Sequence, residues 1–331
     1  MKKKKSLNKN LHAAKRNKND EFYTQLTDIE KELRHYKQHF KNKTVLCNCD
    51  DPRISNFFHY FSYNFEHLGL KKLITACYKN DQIDLFSQND KERAIYLEYE
   101  GDKNGNRIPD LEEIGIKELN GNGDFRSPEC IELLKEADIV CTNPPFSLFR
   151  EYVAQLIEYD KKFLIMGNIN AVTCKEIFPL IKENKVRLGV TLDGRNTWFR
   201  VPDHYEKYDK IEDGKKYAFE ARVVWYTNLH HKKKKEELIL IRNYKGNEKD
   251  YPKYDNYDAI EVSRVANIPK DYDGVMGVPI TFLNKYNPKQ FEIIDINPHF
   301  FSAVSQGLAK PKQLKITGRK DPYARILIRK K

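Results

Sequence analysis

The chain has 331 residues, of which 40% are hydrophobic and 32% charged, and its formal net charge is +11. That length and apolar content predict a globular protein with one large α/β domain and a smaller second one. No run approaches the roughly 18 consecutive apolar residues of a membrane span, and the lysine-rich start lacks the apolar core of a signal peptide, so we expect a cytoplasmic protein.

A basic arm covers residues 1–19. Up to Asp20 the chain has eight Lys or Arg residues and one acidic residue, so +7 of the net charge of +11 lies there. The basic residues are Lys2, Lys3, Lys4, Lys5, Lys9, Lys15, Arg16 and Lys18. We predict a disordered arm that neutralises nucleic-acid phosphates and releases counterions, with a solubilising terminus as the alternative.

Helices and buried strands alternate between residues 20 and 183. Apolar spacing and aromatic-rich runs predict helices at 20–40, 55–68, 146–159 and 172–183, and short apolar runs predict strands at 44–47, 70–78, 137–142 and 162–166. Such alternation implies a largely parallel sheet covered on both faces, with ligands at the carboxyl ends of its strands.

From about residue 186 the pattern changes toward β-structure. Strands are predicted at 186–190, 198–201, 221–229 and 237–242, and irregular connections follow. We therefore predict a first domain over residues 20–230 and a second over residues 231–331.

Asn104-Gly105 has the composition of a two-residue hairpin turn after a strand at 94–99. Asp102 and Glu113 are spaced as in a calcium loop, but Arg107 stands where that loop requires glycine. The hairpin is the better interpretation. Six cysteines in apolar or strand-like segments favour reduced thiols, and no metal site is predicted.

The strongest chemical signal is Asn143-Pro144-Pro145-Phe146, placed after a predicted buried strand and before a predicted helix. An exocyclic amine conjugated to a purine is a poor nucleophile until acceptors hold its two hydrogens. The Asn143 side-chain oxygen and the Pro144 carbonyl are suitable acceptors, and the two prolines fix the backbone around them. Phe146 offers a flat surface on which an extruded base can stack. A rigid strand-to-helix turn is the alternative.

Two upstream segments are cofactor candidates. Asp124 could accept from the amine of an adenosine-containing cofactor, and Phe125 could pack on its ring. Phe22-Tyr23-Thr24 brings a hydroxyl and backbone amides before a helix, which is a plausible binding site for a carboxylate of the cofactor. Each segment alone is a weak signal.

These three segments, in this order, resemble the γ-type adenine-N6 DNA methyltransferases, and the match is closer still to the EcoRI-type modification methylases. The resemblance extends along nearly the whole chain and includes residues 47–53, 123–127, 251–260 and 274–283. It implies a Rossmann-like methyltransferase domain at 20–230 with a smaller target-recognition region at 231–331. It also implies S-adenosylmethionine as cofactor, duplex DNA as substrate, GAATTC as the leading candidate site, and a restriction nuclease as functional partner without a stable complex.

The first predicted strand departs from the broad methyltransferase pattern because no glycine-rich loop follows it. Its cofactor candidates, which extend from the strand end into the loop, are Cys47, Asn48, Asp50, Asp51 and Pro52. The second strand ends at Cys77, also a candidate, without the usual acidic residue, so the ribose-binding group is unassigned. Asn143 is a candidate for cofactor binding as well as for catalysis.

His230-His231 precedes four lysines, Lys232, Lys233, Lys234 and Lys235, in a predicted loop. This loop is a candidate binding site for DNA phosphates. The alternative is a solvated hairpin tip. Other functions stay open at this point: methylation of RNA or of a protein glutamine amide, DNA binding without methylation chemistry, and nuclease activity.

Overall fold

The computed structural model describes residues 22–49, 55–76, 94–106, 109–110, 113–194, 197–203, 205–220, 222–231, 236–297, 314–318 and 324–331. By internal contacts the chain divides into two compact units. The first comprises 1–168 and 195–229, and the second comprises 169–194 and 230–331. The predicted division at residue 230 into catalytic and target-recognition regions stays a prediction, since contacts assign no function.

The strands in the described residues are β1 (Thr44–Cys47), β2 (Lys72–Ala76), β3 (Ile95–Tyr99), β4 (Gly115–Glu118), β5 (Ile139–Thr142), β6 (Lys162–Asn168), β7 (Arg187–Asp193), β8 (Thr197–Arg200), β9 (Lys210–Glu212), β10 (Lys215–Glu220), β11 (Val223–Thr227), β12 (Lys253–Tyr254), β13 (Tyr257–Glu261), β14 (Met276–Pro279), β15 (Phe291–Ile296) and β16 (Arg325–Lys330). The α-helices are α1 (Leu26–Leu33), α2 (Asn56–Tyr63), α3 (Phe65–Leu68), α4 (Pro128–Glu136), α5 (Phe149–Glu158) and α6 (Phe178–Lys182).

The first unit contains a mixed sheet in the order β4-β3-β2-β1-β5-β6-β11. Its centre is parallel: β1 lies between β2 and β5, and β5 pairs with β6. The flanking pairs β2–β3, β3–β4 and β6–β11 are antiparallel. The α/β class is therefore confirmed, whereas the expectation of a largely parallel sheet holds only for the four central strands.

The connection between β3 and β4 differs from the predicted two-residue turn. The two strands form an antiparallel pair, but residues 100–114 separate them. Glu113 Oε1 accepts from the backbone amides of Lys103 and Asn104, and Asp110 Oδ2 accepts from the Asn104 side chain. These carboxylates hold the polar segment in a longer loop, which a two-residue turn rule cannot anticipate.

Local sequence explains where the helices of the first unit begin. Ser55 and Ser127 cap α2 and α4, because their hydroxyl oxygens accept from backbone amides three residues later. Pro128 then occupies the first helical turn, where no backbone donor is needed. In this unit α2 contacts β2, α4 contacts β1 and α5 contacts β6, so the helices pack against the parallel centre of the sheet.

A small antiparallel sheet, β8-β10-β9, belongs to the first unit. Its inner residues Phe199 and Ala218 lie opposite each other and are buried. Tyr23 and Arg200 exchange two backbone hydrogen bonds of 2.8 and 3.1 Å. The segment before α1 is therefore tied to β8.

The second unit contains a sheet in the order β12-β13-β14-β16-β15. Within it Glu261 and Arg325 form a largely buried ion pair, with Arg325 Nε and Nη2 both 2.8–3.1 Å from the Glu261 carboxylate. The Tyr254 hydroxyl also donates to Glu261. The carboxylate therefore links three strands, β12, β13 and β16.

Two predicted elements of the second unit are wrong in extent or type. The predicted helix at 172–183 is a 3₁₀ turn at Ile169–Thr173 followed by the short α6, which begins where Pro179 favours a first helical turn. The predicted strand at 237–242 is not formed: the Gln290 side chain takes both the amide and the carbonyl of Leu238, in place of a neighbouring strand.

Among the described residues, none of the helices is long and apolar enough to cross a membrane.

Candidate active site

The candidate catalytic loop leaves the centre of the parallel sheet. Asn143 directly follows β5, and its side chain is only 6% exposed. Phe146 begins a 3₁₀ turn that leads into α5. Because β1 is the parallel neighbour of β5, the residues that follow these two strands, Asn48 and Asn143, emerge at the same edge of the sheet.

The Asn143 amide is held in one orientation. Its Nδ2 donates to the Phe22 carbonyl at 2.5 Å, whereas its buried Oδ1 accepts from no group among the described residues. The nitrogen is thus committed to the protein, and the acceptor oxygen is left for a ligand. Buried polar atoms are seldom left without a partner, so such an atom marks a site that something else completes.

The segment that contacts Asn143 is itself anchored at several points. Asn56, the first residue of α2, donates its side-chain amide to the Thr24 carbonyl at 2.7 Å. The Thr24 hydroxyl donates to Met166 Sδ at 3.0 Å, and Tyr23 pairs with Arg200. The Thr24 hydroxyl therefore already donates its proton within the core. It could donate to a methionine carboxylate only if that hydrogen bond broke.

Three aromatic rings cluster at the loop. The rings of Phe22 and Phe146 are stacked, with centroids 5.8 Å apart and an interplanar angle of 23°. Phe199 meets both rings edge-on, at 5.6 and 6.4 Å. An apolar wall thus lies beside the orphan oxygen of Asn143.

The first strand ends in a buried polar contact. Cys47 is fully buried within β1, and Asn48 Oδ1 accepts from the hydroxyl of Tyr152, a fully buried residue of α5. Burial raises the pKa of the Tyr152 hydroxyl well above its ordinary value, so it stays a donor. The Asn48 amide is therefore oriented by the helix that follows the catalytic loop.

Asp124 and Phe125 are held by their neighbours. Arg126 donates to both oxygens of Asp124, and that hydrogen bond lowers the pKa of the carboxyl. Phe125 meets the Tyr152 ring edge-on at 5.0 Å, and its carbonyl accepts from Gln155. Helix α5 thus contacts both the 124–126 segment and Asn48.

Two threonine hydroxyls, like Asn143 Oδ1, are buried polar groups without a hydrogen-bond partner among the described residues. Thr75 in β2 and Thr142 in β5 are fully buried, and neither hydroxyl has a hydrogen-bond partner among the described residues. Thr75 lies opposite Cys47, and Thr142 directly precedes Asn143. The two strands that flank β1 therefore each carry, near their carboxyl ends, a buried hydroxyl that is left to bond to a ligand.

The structure thus brings together Phe22, Asn143 and Phe146, and separately joins Asn48 to Asp124 and Phe125 through α5. Sequence reasoning missed Asn56, Arg126, Tyr152 and Phe199, whose contacts join positions far apart in the chain. The predicted site residues that lie outside the described part of the chain are Asp50, Asp51, Pro52, Cys77, Lys3, Lys4, Lys5, Lys15, Arg16, Lys18, Lys232, Lys233, Lys234 and Lys235.

Comparison with known proteins gives consistent matches. Residues 10–331 match the family model described as adenine-specific methyltransferase EcoRI. The chain is 52% identical to the type II methyltransferase M.EcoRI of Escherichia coli, over 98% of this chain and 97% of that protein. It is 40% identical to M.MgeORF184P of Mycoplasma genitalium, over 97% and 98% of the two chains, and 42% identical to M.MpnI of Mycoplasma pneumoniae, over 87% and 86%. No solved structure gave a significant match.

Proposed function

Because the chain belongs to the adenine-specific methyltransferase EcoRI family and is thus an adenine-specific type II DNA methyltransferase, we propose that it methylates adenine N6 in duplex DNA with S-adenosylmethionine. The observation that carries this proposal is the Asn143 amide, whose nitrogen is fixed by Phe22 and whose buried oxygen has no partner among the described residues. The leading candidate site is GAATTC.

Asn143 and Pro144 would act on the nucleophile. When bound, S-adenosylmethionine supplies an electrophilic methyl group on a positively charged sulfur. Asn143 Oδ1 and the Pro144 carbonyl each accept one hydrogen of the adenine amine, which draws its lone pair out of conjugation with the ring. As the amine nitrogen gains positive charge, the two fixed acceptors stabilise it without having to reorganise. Methyl transfer would form a bond between adenine N6 and the methyl carbon and break the sulfur–methyl bond, so that neutral S-adenosylhomocysteine leaves and the surplus proton of the amine passes to water.

The aromatic cluster would receive the base. An adenine inside a duplex cannot reach a buried acceptor, so the target must be extruded from the stack. Phe146 lies next to the acceptors and already stacks against Phe22, which supports a stacking role for this wall. The energy of base–aromatic stacking, roughly 1–3 kcal/mol per base, offsets part of the cost of extrusion.

The cofactor would bind at the carboxyl edge of β1, β2 and β5. The orphan hydroxyls of Thr75 and Thr142 fit a polar ligand there, and Asp124 and Phe125 are available for an adenine ring. The predicted cofactor positions outside the described residues, which include Asp50 and Cys77, belong to this proposal on sequence grounds alone.

The basic arm and the lysine loop would contact DNA phosphates, and residues 231–331 would supply target recognition. Phosphate contacts fix register without reading bases. In the same proposal, methylation protects DNA from a restriction nuclease that forms no stable complex with this chain.

A direct test measures transfer of tritiated methyl groups from S-adenosylmethionine to two duplexes of equal composition, one with GAATTC and one with that site scrambled. We expect label in the first duplex, recovered as N6-methyladenine after hydrolysis. Label in neither duplex, or label recovered on cytosine, would overturn the proposed reaction. Equal label in both would overturn only the proposed site.

A further inference from the structure

The Asp124 carboxylate has an unusually complete set of local donors. Arg126 donates to Asp124 Oδ1 through its backbone N and its Nε, both at 2.9 Å, and to Oδ2 through Nη2 at 2.7 Å. A carboxylate offers about four acceptor positions. Three are filled from Arg126, so among the described residues one position, on Oδ2, is left for a ligand.

The charge state of Asp124 restricts what that position can bind. The Arg126 hydrogen bond holds the pKa of the carboxyl below its ordinary value, so Asp124 is ionised at neutral pH. An ionised carboxylate can only accept hydrogen bonds. A purine with an amino group at C6 offers a donor there, whereas a purine with an oxo group offers a second acceptor, which Oδ2 would repel.

The Arg126 guanidinium also contacts residues other than Asp124. Arg126 Nη1 lies 3.0 Å from Glu151 Oε2 in the first turn of α5, and the guanidinium carbon lies 5.3 Å from the centroid of the Phe125 ring. Arg126 therefore spans from Asp124 to α5. The two ion pairs of Arg126, to Asp124 and to Glu151, together with the forked contact, fix the orientation of the guanidinium and of the Asp124 carboxylate that it holds.

We propose that Arg126 is a positioning residue that holds Asp124 with a single acceptor position open, and that it thereby gives the cofactor pocket its selectivity for an amino over an oxo group at purine C6. This inference rests on the proposed placement of the cofactor adenine at Asp124. Arg126 itself contacts neither the purine nor the methyl group.

The test compares two probes, S-adenosylhomocysteine and its inosine counterpart, by titration calorimetry. The wild-type protein is expected to prefer the adenosine probe by at least about tenfold, the range for a hydrogen bond to a charged group. Asp124→Asn should lose most of that preference. Arg126→Met should lose nearly as much of the preference for the adenosine probe. The double variant should lose no more of it than Asp124→Asn alone, because the effects of two side chains that act through one contact are not additive.

Two further variants control the interpretation. Glu151→Gln removes the charge of the other partner but keeps a side-chain acceptor for Arg126 Nη1, so it should leave the preference within about threefold of wild type. Arg126→Lys keeps the charge but not the fork, so it should retain only part of the preference; it also serves as the test variant if Arg126→Met does not fold.

The outcomes separate this inference from the proposed function. A wild-type protein that binds neither probe would refute the proposed cofactor, and one that binds both equally would refute the placement of the cofactor adenine at Asp124. A wild-type preference that is lost in Asp124→Asn but kept in full by Arg126→Met and Arg126→Lys would refute the role of Arg126 alone.

Discussion

Replacing Asn143 by alanine removes the acceptor on which the proposed chemistry depends. Asn143 is only 6% exposed, so the position of Oδ1 is largely shielded from solvent. Removing one fixed polar group that stabilises transition-state charge costs roughly 10²–10³ in kcat, or about 2.7–4 kcal/mol. The Pro144 carbonyl and Phe146 stay in place, which leaves a residual rate. Cofactor affinity should change by less than about threefold, because the lost oxygen acts on the target amine.

The same change also removes a structural hydrogen bond, and the two effects must be separated. Loss of the 2.5 Å bond from Asn143 Nδ2 to the Phe22 carbonyl should lower the free energy of unfolding by about 1 kcal/mol. Asn64→Ala is a matched control, because the Asn64 amide donates to the Tyr60 carbonyl at 2.8 Å within the same unit. It should lower stability by a similar amount while leaving kcat unchanged.

The assay is single-turnover methyl transfer at saturating DNA and cofactor, with cofactor affinity measured separately by calorimetry. A rate for Asn143→Ala within about threefold of wild type would refute the role assigned to the side-chain oxygen. A large loss shared equally by Asn64→Ala would trace the effect to stability instead.

Four further outcomes are expected. Deleting residues 2–19 should weaken DNA binding and flatten its salt dependence, since each phosphate contact adds roughly 0.9 to the log–log slope; an unchanged slope would leave the arm a solubility tail. Replacing Lys232–Lys235 by alanine should weaken cognate and non-cognate duplexes by similar factors in titrations at one salt concentration, and a loss confined to the cognate duplex would mean base reading. Cys141 is fully buried and burial raises the pKa of its thiol, so mass spectrometry should find it unmodified after iodoacetamide treatment of the folded protein at pH 8; rapid labelling would contradict its burial. Glu261→Gln removes the negative charge that pairs with the Arg325 guanidinium and should lower the free energy of unfolding by about 3 kcal/mol in urea titrations, and a change below about 1 kcal/mol would show the pair to be dispensable.

Local patterns predicted the parts of the fold that depend on neighbouring residues. The strand at Thr44–Cys47 and the position of Asn143 directly after β5 follow from short apolar runs beside polar residues. Both could be placed because a central strand that is covered on both faces forms a nearly continuous apolar run in the sequence.

Contacts between distant residues account for what could not be predicted. The antiparallel direction of β11 depends on β6, which no feature of either strand alone reveals. The segment at 237–242 contains a run of four apolar residues, as a buried strand would, but the Gln290 side chain hydrogen-bonds to the backbone amide and carbonyl of Leu238. The fixed orientation of the Asn143 amide likewise comes from Phe22, 121 positions earlier in the chain.

The first unit is assembled from two separate stretches of chain, and this dictates the order in which a ribosome can complete it. Strand β6 is synthesised before residues 169–194, whereas its neighbour β11 and the β8 residue that pairs with Tyr23 come after them. A nascent chain therefore cannot pair Tyr23 with Arg200 until residue 200 has left the exit tunnel, and it cannot add β11 to the sheet until residue 227 has left it. Any product truncated earlier lacks a strand of the very sheet that carries Asn143, and such a fragment should not methylate DNA.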